Sequence, residues 1–183
     1  MRKINNPFHE LQGYNCFACC PTNKYGLQMD FYEDGEYVCA NWIPKTHFEG
    51  YPNILHGGIQ STLLDEIAAW AVYVKGKTSG VTSRMNVKYH KPVVVKENPL
   101  LLRAKITETK RRFATIKAEL INNDGVICSE AELIYYMFPI DVFGRFKTTR
   151  EAAVLCVNRN IHTMIIQNFL TKNNQEKYYK INN

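Results

Sequence analysis

Hydrophobic positions change rhythm several times along this chain. "LQMDFYEDGEYVCANW" (27–42) holds two β-rich runs on either side of Asp34-Gly35, a dipeptide that supplies positive φ to tight hairpins. Between Ile43 and Leu55 the pattern lapses into a loop punctuated by Pro44, Gly50 and Pro52. "NILHGGIQSTLLDEIAAWAVYV" (53–74) then reads as one long helix, apolar on most faces, ending near "KGKTSG". Four strand-like runs follow, "VTSRMNVKYH", "PLLLRAKITETK", "RFATIKAELIN" and "VICSEAELIYYMF", the last two joined by the turn sequence Asn122-Asn123-Asp124-Gly125. Two strands, one helix and four strands predict an α+β domain, in which an antiparallel sheet of about six strands wraps around a single central helix.

The ends differ from this middle. Residues 1–20 are turn-rich and predict an arm or short helix around "PFHELQGY". Beyond Pro139, "TTREAAVLCVNRNIHTMIIQNFL" opens with the capping box Thr148-x-x-Glu151 and has helical apolar spacing. The Asn/Lys-rich "TKNNQEKYYKINN" reads as a disordered tail. The predicted organisation is therefore an arm at 1–20, the α+β domain at 21–139, and a helical extension with its tail at 140–183.

The long helix poses the chemical question. At 100° per residue, Gly58, Ser61, Thr62, Asp65, Ala69 and Val72 fall on one narrow face, while Ile59, Leu63, Leu64, Ile67, Trp70 and Val74 occupy the rest. An unpaired buried carboxylate costs several kcal/mol, so Asp65 needs a partner, a raised pKa or access to water. The small neighbours Ser61 and Thr62 leave room beside it for a substrate. Glu66 points about 100° away, toward Ile59 and Trp70, and reads as a rim or ion-pair residue. At the helix start, Gly57 and Gly58 offer unpaired backbone N–H groups at the positive end of the dipole, suited to a carbonyl that becomes an oxyanion. Gly58 and Asp65 are seven residues apart, roughly 10 Å along the axis. Both can serve one reacting centre only if two copies of the helix meet, so the expected site lies at a subunit interface.

Composition narrows the setting. The balance of 45% hydrophobic and 22% charged residues fits a globular protein, and no apolar run is long enough to span a membrane. Six cysteines without a secretory leader predict reduced thiols and a cytoplasmic location. The net charge of +6 is dispersed, with Lys110-Arg111-Arg112 its densest cluster. Without aromatic-basic recognition motifs it favours an anionic small ligand over nucleic acid. Cys16-x-x-Cys19 raises zinc, but a structural site wants four ligands and there is no second such pair. A buried, inert pair with no metal is expected, a metal shared across a dimer interface being the alternative.

"LHGGIQSTLLDE" resembles the His-Gly-Gly, seven-spacer, Asp/Glu motif of hotdog-fold acyl-CoA thioesterases of the PaaI-like type. "NCFACCPTNKYGLQMDFY" is similar to their Cys-Phe-x-Cys segment, and "VTSRMNVKYHKPV" to the strand that leads into a Tyr-x-x-Pro turn, so the resemblance covers roughly residues 14–138. It implies a hotdog fold, thioester hydrolysis and a homodimer or dimer of dimers. Asp65 matches the catalytic general base or nucleophile, Gly57 and Gly58 the oxyanion site, and His56 the residue that supports that loop. Counting back from Pro92, Thr82 falls where relatives place a hydroxyl that orients the attacking water, with Ser83 the neighbouring possibility. Some relatives carry an Asn six residues before the His; here that position is Gly50, and Asn53 lies nearer. Substrate contacts are expected from Ser83, Asn53, Ser61, Thr62 and Arg84. Coenzyme A, held by surface Lys and Arg, enters only as part of the substrate, so no separate cofactor is required.

Two other readings share these residues. "HFEGYPNILHGG" also resembles hotdog hydroxyacyl dehydratases, with His47 as the base, although Leu63 stands where their acid belongs. A non-catalytic acyl-CoA-binding module would keep the pocket without needing an ionised Asp65.

Overall fold

The computed structural model describes residues 1–9, 13–95 and 99–138, all within one compact unit, Met1–Phe143. The predicted extension at 140–183 lies outside the described residues. In chain order the elements are strands β1 (Arg2–Ile4), β2 (Phe31–Asp34), β3 (Tyr37–Trp42), β4 (Glu49–Tyr51) and β5 (Ile54–Leu55), helix α1 (Gly57–Lys75), and strands β6 (Gly80–Tyr89), β7 (Leu100–Lys110), β8 (Phe113–Ile121) and β9 (Ile127–Met137).

Seven strands form one antiparallel sheet in the order β1-β2-β3-β7-β8-β9-β6. Six were expected. The seventh is β1, three residues of the N-terminal arm too short to carry a pattern. Its Arg2 sits opposite Glu33 and bonds to it at 2.5 Å, and Lys75 of α1 reaches the same carboxylate at 2.6 Å. The 43–55 segment is also more ordered than a plain loop, with a 3-10 turn at Thr46–Phe48 and the small β4–β5 hairpin that delivers the chain to α1.

Alternation sets the core. β8 buries Ala114, Ile116, Ala118 and Leu120 on one face, and β7 buries Leu100, Leu102 and Ala104. Against them α1 buries Leu63, Leu64, Ile67, Ala68 and Ala71, with no accessible surface left on any of them. The alanines keep the sheet surface shallow where the helix crosses it, while Trp70 stacks on Phe31 with ring centroids 4.4 Å apart. Val72, placed on the polar face by its helical angle, is fully buried as well. No helix among the described residues is long and apolar enough to cross a membrane.

The turns follow their residues. Gly35 and Gly125 take φ of +55° and +76° in their hairpins, and Asn122 Oδ1 accepts the N–H groups of Asp124 and Val126. The basic cluster at 110–112 is the β7–β8 hairpin turn, with Arg111 itself at φ +57°.

Glu119 on β8 is the buried acid of the outer sheet, held by Arg103 at 2.6 Å and Lys117 at 3.0 Å. Burial alone would raise its carboxyl, but the bonds from Lys117 and Arg103 outweigh this and hold it below the ordinary range. A depressed folded value means the pair stabilises the fold above the unfolded carboxyl pKa, and that contribution disappears as pH falls through the folded value. Glu119→Gln is expected to cost about 1–3 kcal/mol at pH 7. The difference from wild type should shrink steadily on acidification, read from urea unfolding across the pH range. A penalty that stays constant down to strongly acid pH would show that the pair contributes no charge-dependent stability.

Candidate active site

The start of α1 is shaped by His56. Its backbone holds φ −57° and ψ 134°, and its ring Nδ1 accepts the Gly58 N–H at 2.9 Å. Its carbonyl accepts the N–H groups of Ile59 and Gln60 at 3.0 and 3.1 Å. This corrects one expectation: the Gly58 amide is engaged by the imidazole and does not face a substrate. A Cβ on Gly58 would stand 3.0 Å from Nδ1, so glycine there is what lets the ring fold back over the helix. The Gly57 N–H has no hydrogen bond among the described residues.

Gly57 opens onto a cleft of about 710 Å³ lined by Gly50, Tyr51, Leu55, His56, Gln60 and Tyr89, with His90 and Lys91 at its basic side. Gln60 is buried, donates to the Leu55 carbonyl at 3.1 Å, and its Oε1 has no partner among the described residues. Tyr89 Oη donates to the Gly57 carbonyl at 3.1 Å and lies 2.6 Å from Ser61 Oγ. Ser61 and Thr62 donate back to the carbonyls of Gly57 and Gly58 at 3.2 and 2.9 Å. Their hydroxyls thus close the first turn of the helix while leaving its surface small.

Farther along the same face is Asp65. Two hydroxyls converge on its Oδ1: Thr82 Oγ1 and Tyr135 Oη, each donating at 2.7 Å. The Tyr135 hydroxyl also lies 2.9 Å from the Asp65 main-chain oxygen. Thr82 on β6 and Tyr135 on β9 are cross-strand partners. The carboxylate is therefore gripped by adjacent strands from one side, and Oδ2 has no hydrogen-bond partner among the described residues. Burial first, and then the negative charge of Asp65, push the Tyr135 phenol well above its ordinary value, so it remains a proton donor.

The other predicted residues are placed differently. Register in β6 shifts between Thr82 and Arg84, which makes Ser83 the extra residue of a β-bulge next to Thr82. Ser83 and Arg84 are exposed on that strand. Asn53 sits in the β4–β5 turn at φ +62°, where its carbonyl accepts the Val95 N–H at 2.8 Å; it does not line the cleft. His47 is exposed in the 3-10 turn, its ring tilted against Phe48 with centroids 4.1 Å apart, and is likewise outside the cleft.

Glu66 is not the rim or ion-pair residue its helical angle suggested. It has no cationic partner among the described residues, and its Oε1 accepts the Trp70 indole N–H at 3.0 Å. Burial, and then the negative charge at Cys16, push its carboxyl up to about 7. Tyr135, Tyr89 and Gln60 were not singled out from the sequence. The only available hint was the Tyr89-x-x-Pro92 spacing, which brings Tyr89 beside the helix start.

Comparison with known proteins agrees with this architecture. Residues 52–129, which include Asp65 and Thr82, match the family model of the thioesterase superfamily. An uncharacterised protein of Schizosaccharomyces pombe is 30% identical over 123 residues, a match covering 64% of this chain and 66% of that protein. A solved thioesterase superfamily protein superposes with a TM-score of 0.60 at 24% identity, covering 64% of this chain and 57% of the other. This chain thus spans 66% and 57% of the length of these two relatives, less than two-thirds of each. A Streptococcus mutans protein solved with acetyl-CoA bound superposes with a TM-score of 0.56 at 18% identity, covering 60% of this chain and 88% of the other, which shows a shared fold. The α+β domain is a hotdog fold, shared with these solved thioesterase superfamily proteins, and residues 52–129 are similar to the thioesterase superfamily.

Proposed function

We propose that this protein is a PaaI-like acyl-CoA thioesterase, hydrolysing its substrate to a free acid and coenzyme A. The observation that carries the proposal is the grip of Thr82 and Tyr135 on one oxygen of Asp65. Two donors fix the carboxylate and leave its second oxygen for a water, the arrangement required of a positioned general base. The reading is supported by the Streptococcus mutans relative solved with acetyl-CoA.

In this mechanism Asp65 takes a proton from water as the water oxygen attacks the thioester carbonyl carbon. The carbonyl oxygen becomes an oxyanion and accepts the N–H of Gly57. As the carbonyl re-forms, the C–S bond breaks and the departing thiolate takes the proton held by Asp65. Direct attack by Asp65, through an anhydride that water then opens, uses the same groups.

Gly57 and Asp65 lie at separate stations on one helix, and Asp65 does not line the cleft that Gly57 faces. The proposal therefore pairs the amide of one protomer with the acid of its partner. β6 supports it, because among the described residues it ends the sheet with one edge unpaired, and Thr82, Arg84, Asn86 and Lys88 are exposed along it. The cleft's Lys91 and His90 give the basic surroundings a coenzyme A phosphate would need.

Thiol release from short, long and aromatic acyl-CoAs is the direct check. Asp65→Asn should lower kcat by about 100-fold or more with the fold intact. Thr82→Ala and Tyr135→Phe should each lower kcat by about 10- to 100-fold with a smaller change in KM, because they act by positioning Asp65. Indifference of turnover to Asp65, or no turnover with any acyl-CoA, would overturn the reading in favour of a binding module.

Subunit sharing has its own test. Gly57→Val places a Cβ in ordinary contact with the Tyr89 ring, 3.7 Å away, while crowding the amide. Asp65→Asn and Gly57→Val proteins, each inactive alone, should recover about a quarter of wild-type activity when unfolded and refolded together in equal amounts, since half the dimers then hold one intact site. Absence of recovery, with mixed dimers demonstrated by mass, would place the whole site within one chain.

A further inference from the structure

Opposite the Asp65 face, α1 meets a cluster the thioesterase reading does not use. Cys16, Cys19 and Glu66 each offer one ligand atom, and these atoms all lie within 4.8 Å of one another. We propose that Cys16, Cys19 and Glu66 bind a single zinc-class divalent ion, which ties the segment around residues 14–20 to the central helix.

The donor set fits such an ion. Two thiolates and a carboxylate suit zinc, with water in the fourth position as in three-ligand zinc sites, one protein ligand short of a closed structural site. Zinc–sulfur bonds of about 2.3 Å place tetrahedral ligands about 3.8 Å apart, so the longest separation needs to close by only about 1 Å, within reach of side-chain rotation. Cys19 is buried at 5% exposure, while Cys16 and Glu66 are half-buried, which leaves solvent a way to the fourth position.

The surroundings are arranged as a metal site's would be. The Trp70 indole holds Glu66 Oε1 at 3.0 Å, which fixes the carboxylate and leaves Oε2 for the ion. Tyr14 Oη lies 2.8 Å from Cys19 Sγ; because Asn6 Nδ2 lies 3.3 Å from the same phenol oxygen as a donor, the Tyr14 O–H is left to point at the sulfur. Asn6 Nδ2 also reaches the Cys19 carbonyl at 3.2 Å, and the Cys20 N–H closes a turn on the Cys16 carbonyl at 3.2 Å, holding both cysteines on one side of the loop. A carboxylate in this place, with no cation among the described residues, is expensive to bury unless a positive charge is supplied. The ion would be held by both cysteines as thiolates, with the Cys19 thiol proton released to solvent on binding.

The test uses the full chain, free of any affinity tag, reduced, stripped with a chelator and titrated with Co²⁺ and then Zn²⁺. One Co²⁺ per chain should bind, with thiolate-to-metal charge-transfer absorption and the intense visible bands of a four-coordinate site, and Zn²⁺ should displace it. Glu66→Gln, which keeps the shape and the Trp70 contact, should weaken binding by about tenfold or more. Cys16→Ser should abolish the charge-transfer bands, and Cys39→Ser should change nothing. Zn²⁺ should raise the Tm of wild type but not of Glu66→Gln. No uptake, uptake that is indifferent to Glu66→Gln, or reduced-buffer protein isolated with a Cys16–Cys19 disulfide would each overturn the proposal. If Cys16→Ser fails to fold, Glu66→Gln alone decides.

Discussion

A helix packed into the concave face of a sheet is hard to reconcile with a carboxylate in its middle, and the two hydroxyl contacts on Asp65 resolve that conflict. Thr82 and Tyr135 come from hydrogen-bonded neighbours in the sheet, so the register of β6 on β9 determines whether the acid has both partners. A one-residue slip of β6 would turn Thr82 to the opposite face and leave Asp65 with Tyr135 as its one hydroxyl partner among these strands. The bulge at Ser83 lies directly beside this contact, at the point where the strand changes step. Fold and site therefore depend on the same pairing.

Much of this was legible because it rests on local pattern. The strand–helix–strand order, the hairpin residues at Asp34-Gly35 and Asn122–Gly125, and the polar stripe carrying Asp65 all follow from spacing a few residues long. Thr82 could be located by counting back from Pro92 along the resemblance, although the bulge at Ser83 interrupts the strand between them. β1 was illegible for the opposite reason: Arg2–Ile4 is too short to show alternation, and it becomes a strand only because Glu33 stands opposite Arg2.

What stayed hidden in the site depends on distance in the chain or on rotamers. Tyr135 lies 70 residues from Asp65, and its contact is decided by the strand order and the bulge, neither of which leaves a trace in the residues near Asp65. His56 could be read as a loop support, but the capture of the Gly58 amide depends on how its ring turns, and among the described residues the Gly57 N–H is left without a bond. Asn53 looked like a contact residue because of its type; its positive φ shows that the turn needed that type for backbone reasons.

Asp65 and Glu66 show how one helix separates two environments. They are adjacent in sequence and diverge by about 100°. The first meets two hydroxyls from the sheet and keeps one oxygen for solvent. The second meets an indole and two thiols from a loop on the other side. Helical angle alone distinguished their directions, yet could not say what waited at the end of either. A carboxylate given hydrogen-bond donors can work as a base at its own position, whereas a carboxylate set among thiols has no counter-charge and draws in a cation. The helix between them is apolar enough to keep these two environments apart within a single turn.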